Sequence, residues 1–199
     1  TGAEGFSTKP DWAVYGVLQV WDTAASADAF FKNHPQFQRY LRKAEESLTL
    51  YMRAVKSKGN WNGVNPFEPT AAPESGNDAL AVITRATIHK KYLHTFWKNV
   101  PASQRPLMGI RGLIYTKGIG ETPFVDMATF SLWSDEDAMK AYAYGTKAHQ
   151  EVIRKTRELG WYKEELFARF QPYKITGAWK DIPDLLAFRE SLKRRGTSS

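Results

Sequence analysis

His149 is the residue whose position most favours chemistry. A predicted helix over residues 135–159 has an inward face whose positions recur every three or four residues: Ala138, Tyr142, Gly145, His149, Val152, Ile153 and Thr156. Gly145 lies one turn before His149 and leaves space beside the imidazole for a flat ligand. A neutral imidazole that faces an apolar cavity suits an axial ligand of haem iron. A core histidine bound to a backbone carbonyl explains the same pattern, so both interpretations stay open.

Two arginines interrupt segments that are otherwise predicted to be buried strands. Arg85 lies in the uncharged run 79–88, and a buried guanidinium requires a partner or a wet cavity. One interpretation is an ion pair with Glu165 or Asp126, and the other is a pocket arginine that contacts a propionate or an iron-bound oxygen species. Arg169 lies in the last predicted strand, and both interpretations apply to it.

Other side chains and motifs are less informative. Trp161 follows the predicted helix and is either a core residue or part of the lining of a long apolar channel. The four histidines form no HxxxH or HExxH pair, and no Asp/Glu/His cluster has the spacing of a metal site. The sequence also lacks a GxSxG elbow, a P-loop and a GxGxxG fingerprint.

Composition narrows the function classes further. The 199 residues contain no Cys, which excludes disulfides, thiolate metal sites, cysteine nucleophiles and thiolate-ligated haem. The net charge is +7, with 8 Lys/Arg and 8 Asp/Glu in residues 1–75 but 20 and 13 in residues 76–199. The excess of Lys and Arg over Asp and Glu is compatible with a peripheral contact of the protein with anionic membranes. No nucleic-acid motif is present, so we expect no nucleic-acid partner.

Targeting signals are also missing from the printed sequence. No run approaches the roughly 20 apolar residues of a membrane span. The N-terminus has neither the basic nor the apolar region of a signal peptide. We therefore expect a cytoplasmic protein, with membrane association as an open addition.

The elements that position these residues follow from periodicity and turn signals. Over residues 76–199 the pattern predicts a β-α-β-β-α-β order, with Gly118 and Gly120 in the hairpin turn and Gly160 ending the second helix. The predicted elements are a strand at 79–88, a helix at 89–100 closed by Pro101, strands at 110–117 and 123–133, the helix at 135–159 and a strand at 164–173. This order is the ferredoxin-like unit.

The first part of the chain predicts only a portion of a second such unit. Residues 12–21 are apolar and β-rich, which indicates a buried strand, and residues 26–55 predict one or two helices split at His34-Pro35. The Gly/Pro-rich stretch 57–78 predicts a linker. We therefore expect an α+β fold in which two ferredoxin-like units form an α/β barrel. Residues 1–75 would be an N-terminally incomplete first unit with its linker, and residues 76–199 the second unit with a basic tail. The second unit's exposed sheet face would be covered by another such sheet.

Five segments of the chain resemble the spheroidene monooxygenase family. The most specific is the stretch from His149 through Gly160-Trp161-Tyr162 to the Glu-Glu-Leu-Phe-Ala-Arg-Phe run that ends at Phe170. The other segments lie at residues 80–88, 96–101, 118–123 and 129–133. Members of this family usually have a further segment upstream, which agrees with the incomplete first unit.

The resemblance implies a haem-dependent oxygenase that uses O2 to introduce a keto group into an acyclic carotenoid. It implies haem b as cofactor, an external electron donor and a barrel similar to those of aldoxime dehydratases and dye-decolourising peroxidases. By position on the helix, His149 matches the iron ligand of those barrels. The candidate cofactor-binding residues are then His149, Arg85, Gly145 and Trp161, and the candidate catalytic residues are Arg85 and Arg169.

Two other functions fit the same barrel. A haem lyase of the aldoxime dehydratase type would need an acid or base beside the substrate, for which His89 or His94 is available. A non-enzymatic barrel would only bind a small ligand or form a homodimer, and it predicts that Arg85 is fully ion-paired.

Overall fold

The computed structural model describes most of the chain. The described residues are 1–3, 6–69, 72–73, 77–104, 109–145, 151, 154–156, 158–180, 182 and 185–195. In chain order, the elements are α1 (Ala24–Asn33), α2 (Pro35–Lys43), β1 (Leu48–Gly59), β2 (Leu80–Ile88), α3 (Leu93–Gln104), β3 (Leu113–Thr122), β4 (Asp126–Trp133), α4 (Glu136–Gly145), β5 (Tyr162–Gly177) and α5 (Leu185–Arg195).

The strands form one antiparallel sheet in the order β1-β5-β2-β4-β3. The last four strands, with α3 after β2 and α4 after β4, have the predicted β-α-β-β-α-β order, so the α+β class and this succession of elements are confirmed. β1 extends the sheet beside β5. Hence a strand from the first part of the chain and the strands of the second part share one ladder.

Alternation along the strands gives the sheet two buried faces. One, here called the α3–α4 face, carries Val82 and Trp133, which pack with Met139 of α4. The other, here called the α5 face, carries Ala81, Ile83, Leu132, Leu166 and Ala168, which pack with Leu185, Phe188 and Leu192 of α5. Over these residues the C-terminal helix packs against the face that was expected to meet a second sheet.

The first part of the chain differs most from its prediction. Residues 12–21 begin with a turn at residues 12–13, belong to none of the sheet's strands, and expose most of their apolar side chains. The helical region ends at Lys43, and residues 48–59, predicted as helix and linker, form β1 instead. The split at His34-Pro35 is confirmed, because Pro35 is the first residue of α2 and His34 lies between the two helices.

Three boundaries in the second part also differ. α3 runs to Gln104, past the predicted stop at Pro101. Gly118 and Gly120 lie inside β3 rather than in a turn, and the hairpin turn follows at Phe124, whose φ is 67°. Residues 136–145 of the predicted long helix form α4, and residues 154–156 and 158–159 are helical too. Gly160 ends the helical stretch with φ 58° and donates its N–H to the Thr156 carbonyl, as predicted.

Asp135 caps α4, because its carboxylate accepts the N–H of Ala138 at 2.7 Å. Among the helices of the described part of the chain, none is long and apolar enough to span a membrane.

Candidate functional site

Arg85 is the most deeply buried charged residue of the sheet, with 1% of its surface exposed. Its Nη1 donates to Glu164 at 2.5 Å, and its Nη2 donates to Asp126 at 3.3 Å and to Glu121 at 3.4 Å. Nη2 also lies 3.2 Å from the side-chain oxygen of Asn62. The guanidinium therefore lies among three carboxylates and one amide, an arrangement that compensates its burial.

Strand register explains which carboxylates reach Arg85. Residues directly opposite each other in the ladder share a face, and β2 pairs Thr87 with Glu164 and with Asp126. Arg85 lies two residues from Thr87 and therefore on the same α5 face. Glu165 pairs with Ala86 and lies on the other face. The sequence-based pairing with Asp126 is confirmed and the pairing with Glu165 is wrong.

Glu164 also holds the loop that follows β1. Its two carboxylate oxygens accept the backbone N–H groups of Asn62 at 2.8 Å and Gly63 at 2.7 Å. Both residues have positive φ, so the loop turns its amides toward the carboxylate. The ring of Trp61 then lies 5.4 Å from the Arg85 guanidinium carbon, in cation–π range.

The electrostatics of this cluster favour ionised carboxylates. Backbone hydrogen bonding from Gly63, with further contributions from Asn62 and Arg85, lowers the pKa of Glu164 below its ordinary 4.5. Burial alone would raise the pKa of Asp126, but hydrogen bonds from Thr87 and Thr122 and the charge of Arg85 outweigh burial and lower it. The lowered pKa values keep Asp126 and Glu164 ionised beside Arg85 at neutral pH.

Sequence reasoning missed four partners of Arg85: Trp61, Asn62, Glu121 and Glu164. The sequence did hold a signal for the carboxylates, because each lies near the end of a strand. Asp126 and Glu164 lie near the starts of β4 and β5, which flank β2, and Glu121 lies near the end of β3, which flanks β4. No comparable signal marked Trp61 and Asn62, because the loop that carries them reaches Arg85 only when β1 joins the sheet. The non-enzymatic interpretation predicts a fully ion-paired Arg85. Both terminal nitrogens of Arg85 are ion-paired, whereas its buried Nε has no hydrogen-bond partner among the described residues.

Arg169 lies on the other face. It pairs with Val82 across β2 and β5, so it belongs to the α3–α4 face. Its Nη1 donates to Glu136 of α4 at 2.5 Å, and its guanidinium carbon lies 5.5 Å from the Phe167 ring. Its Nε is buried and has no hydrogen-bond partner among the described residues. Within the described part of the chain, the Nε–H of Arg169 is thus available to a further acceptor beside α4.

Trp161 lies on the α3–α4 face as well and is fully buried. It packs with Ile88 and Met127 of the sheet and with Phe96 of α3, whose ring centroid is 5.9 Å away in an edge-on arrangement. Its indole Nε1 finds no hydrogen-bond partner in the described part of the chain. Buried indole N–H groups are usually bonded.

The remaining candidates lie on or beyond α4. Gly145 is the last residue of α4 and is exposed, and a Cβ built there meets no atom within 4 Å. The space expected beside His149 stays a prediction, because residues 146–150 lie outside the described residues. His149, the predicted iron ligand, lies outside the described residues.

The fold thus separates the candidate residues. Arg169, Trp161 and Gly145 share the α3–α4 side, whereas Arg85 lies across the sheet from them. Trp161 immediately precedes β5, and Arg169 lies eight positions after it, which is about 26 Å at 3.3 Å per residue. A compact ligand would contact one of these two side chains, and only an elongated one would contact both.

The described histidines add little chemistry. His94 is exposed on α3, and His89 is half-buried against Tyr92 at a ring distance of 6.3 Å. His34 stacks on Phe30 at 4.4 Å. No group of three or more His, Asp or Glu residues in the described ranges has the arrangement of a metal site.

Three curated relatives resemble the chain over most of its length. Spheroidene monooxygenase of Rhodobacter capsulatus is 38% identical over 177 residues, which cover 88% of this chain and 73% of the relative. The Cereibacter sphaeroides protein of the same name is 36% identical and covers 89% and 55%. That of Rubrivivax gelatinosus is 37% identical and covers 90% and 69%. No protein-family model matches the chain.

Solved structures resemble the chain more weakly. A candidate monooxygenase of Fusobacterium nucleatum is 15% identical, with a TM-score of 0.46 over 78% of this chain and 67% of that one. SnoaB, a cofactor-independent oxygenase of Streptomyces nogalater, is 14% identical, with a TM-score of 0.37 over 53% of this chain and 98% of that one. Both TM-scores are below 0.5, so neither structure indicates a function for this chain.

Proposed function

Because this chain belongs to the spheroidene monooxygenase family, we propose that it is a monooxygenase that oxidises a long apolar, carotenoid-like substrate with O2. The observation that carries the proposal is the identity of 36–38% to three relatives named for this activity, over 88–90% of the chain. In such a reaction one oxygen atom enters the substrate and the other leaves as water. The two electrons that this requires come from an external donor.

We further propose haem b as the cofactor, with His149 as the iron ligand. When bound, haem supplies the activation of O2. The position of His149 on the predicted helix and the family resemblance support this assignment. The open space at Gly145, one turn earlier, leaves room for a flat macrocycle to approach the helix.

The described donors fit such a group on the α3–α4 side. Arg169 and Trp161 each have a buried N–H with no partner among the described residues, and a carboxylate or oxygen of a bound group would satisfy either one. Arg169 also retains its ion pair with Glu136 of α4, which fixes the guanidinium beside that helix. We propose that Arg169 is the functional arginine of the pair.

Arg85 does not fit the role of a propionate or oxygen ligand. Its two terminal nitrogens already donate to Glu121, Asp126 and Glu164, and a further anion would meet three carboxylates. We assign Arg85 to holding the ends of the strands and the loop at Asn62 together. That assignment agrees with the ion-pair interpretation of Arg85 and replaces its candidate catalytic and cofactor-binding roles.

The remaining expectations about architecture and partners are proposals of the same kind. We propose that two ferredoxin-like units close into a barrel, with residues 1–75 in the first unit and residues 76–199 in the second. The position of β1 beside β5 supports this arrangement, because it joins the two parts in one ladder. We also propose a peripheral membrane contact, because an apolar substrate partitions into lipid. A homodimer is part of the proposal as well.

The test is oxygen incorporation by the purified protein. The protein is expressed with added haem, mixed with an acyclic carotenoid in detergent and an electron donor, and exposed to 18O2. We expect a product that carries the heavy isotope and a Soret band that is lost in His149→Ala. Absence of label would overturn the monooxygenase assignment. A labelled product with no Soret band would overturn the haem assignment alone. Turnover of an aldoxime without O2 would favour the lyase instead.

A further inference from the structure

An uncharged aromatic segment, residues 12–21, lies exposed on the surface. Trp12 is 75% exposed, Tyr15 72% and Val17 65%, and the ten residues contain no Asp, Glu, Lys, Arg or His. Monomeric soluble proteins rarely expose a contiguous apolar patch of this kind unless something binds to it. The segment is therefore a candidate interaction surface.

The aromatic segment is fixed to the body of the protein. At its start, Asp11 pairs with Lys117 of β3 at 3.3 Å. At its end, the Trp21 ring lies 5.1 Å from the Phe30 ring of α1. In between, a Cβ at Gly16 would lie 3.2 Å from the side chain of Ile119, so the backbone runs close to β3. A segment held at both ends presents its side chains in a defined arrangement.

A basic helix lies beside this segment. The Tyr15 ring is 6.4 Å from the ring of Tyr40 on α2. α2 carries Arg39, Arg42 and Lys43, which are all exposed, and contains no acidic residue. The exposed surface thus combines Trp and Tyr rings with a group of cations that have no compensating carboxylate on their own helix.

We propose that the aromatic segment and the basic side chains of α2 dock on an anionic lipid surface. Trp and Tyr favour the boundary between headgroups and acyl chains, and each basic residue near an anionic surface adds attraction. The proposed function supplies only the biological reason for docking, because a carotenoid-like substrate would be taken from the same bilayer. Lipid binding itself requires neither substrate nor cofactor.

The test is sedimentation of the full chain with vesicles of phosphatidylcholine alone or with phosphatidylserine added. We expect binding to the anionic vesicles that weakens with salt. Arg39→Gln with Arg42→Gln should lower partitioning about 25-fold, at about fivefold per charge. Trp12→Ser with Tyr15→Ser should lower it about tenfold. Matched controls are Leu186→Ser, an equally exposed apolar site on α5, and Lys98→Gln on α3, which should both bind as the parent does.

The outcomes separate this inference from the proposed function. No vesicle binding by the parent chain, or equal binding by the variants and the parent, overturns the docking surface. A change from dimer to monomer in Trp12→Ser with Tyr15→Ser, with vesicle binding intact, overturns it in favour of a second copy of the chain. Vesicle binding without oxidation of a detergent-dissolved carotenoid leaves the docking surface standing and removes the proposed function.

Discussion

Arg85 and Arg169 lie on neighbouring strands but point to opposite faces of the sheet. Arg169 is paired with Val82, and Arg85 lies three residues further along β2, so their side chains fall on opposite sides of the pleat. Arg85 is surrounded by three carboxylates on the α5 face, whereas Arg169 has Glu136 of α4 as its ion-pair partner on the α3–α4 face. The buried Nε of each arginine has no hydrogen-bond partner among the described residues. The two arginines therefore cannot serve one ligand, and their substitutions should have different consequences.

Substitution of Arg85 should destabilise the fold. Arg85→Met leaves the carboxylates of Asp126 and Glu164 without their buried cation, and breaking such a pair costs about 2–4 kcal/mol once their partial solvent contact is considered. Urea denaturation of the parent and the variant measures the free energy of unfolding. A variant as stable as the parent would contradict the structural role of Arg85.

Substitution of Arg169 should impair activity more than stability. Its partner Glu136 is half exposed, so Arg169→Gln should lower the free energy of unfolding by about 1 kcal/mol or less. If Arg169 contacts a bound group, carotenoid oxidation should fall at least tenfold, and the Soret band or its shift with added ligand should change. Unaltered turnover and an unaltered spectrum in a folded variant would exclude that role.

Glu164 predicts a specific dependence of stability on pH. Its folded-state pKa is lowered from 4.5 by the amides of Gly63 and Asn62 and by Arg85, so its contribution is complete above pH 4.5 and is lost as the pH falls through the lower folded value. In Glu164→Gln, the unfolding free energy should therefore change less between pH 5 and pH 3 than in the parent. Glu165→Gln, on the adjacent exposed residue, is the matched control and should keep the slope of the parent.

Gly112 should tolerate no side chain before β3. Its φ is 86°, and a Cβ there would lie 2.5 Å from the Cβ of Ala138 and 2.7 Å from the Ser134 hydroxyl. Gly112→Ala thus combines left-handed backbone strain of about 1–2 kcal/mol with a clash against the start of α4. Gly109→Ala has a similar φ of 81° with no atom within 4 Å, so it should cost only the strain. Thermal unfolding of the two variants compares them, and equal midpoints would refute the clash.

Gly145 offers a test of the space beside the proposed haem ligand. Because Gly145 is the exposed last residue of α4 and a Cβ there meets no described atom within 4 Å, Gly145→Ala should fold and should raise the free energy of unfolding by at most about 1 kcal/mol. Gly145→Leu should be folded but should take up less haem if the macrocycle approaches the helix there. Titration with haem, followed at the Soret band, measures uptake. A folded leucine variant with the haem affinity of the parent would argue against a ligand at this position.

Local patterns predicted the second part of the chain better than the first. Periodicity and turn signals predicted the order β2-α3-β3-β4-α4-β5 correctly. In this part of the chain, strands β2 to β5 pair with one another, so local pattern and tertiary contacts agree. Residues 12–21 have the composition of a buried strand, yet none of the sheet's strands pairs with them. Residues 48–59 continue a spacing that suits a helix but form β1, because β5 offers them an edge.

The sequence by itself determined that Arg85 requires partners, because a guanidinium in an uncharged strand cannot be buried alone. It also determined the end of the helical stretch at Gly160, which depends on residues a few positions apart. Only the tertiary structure decided that Glu164 and not Glu165 meets Arg85, and that Arg169 faces α4 instead. The reason is that a strand alternates its side chains between two faces, so the choice of partners depends on how distant strands are registered.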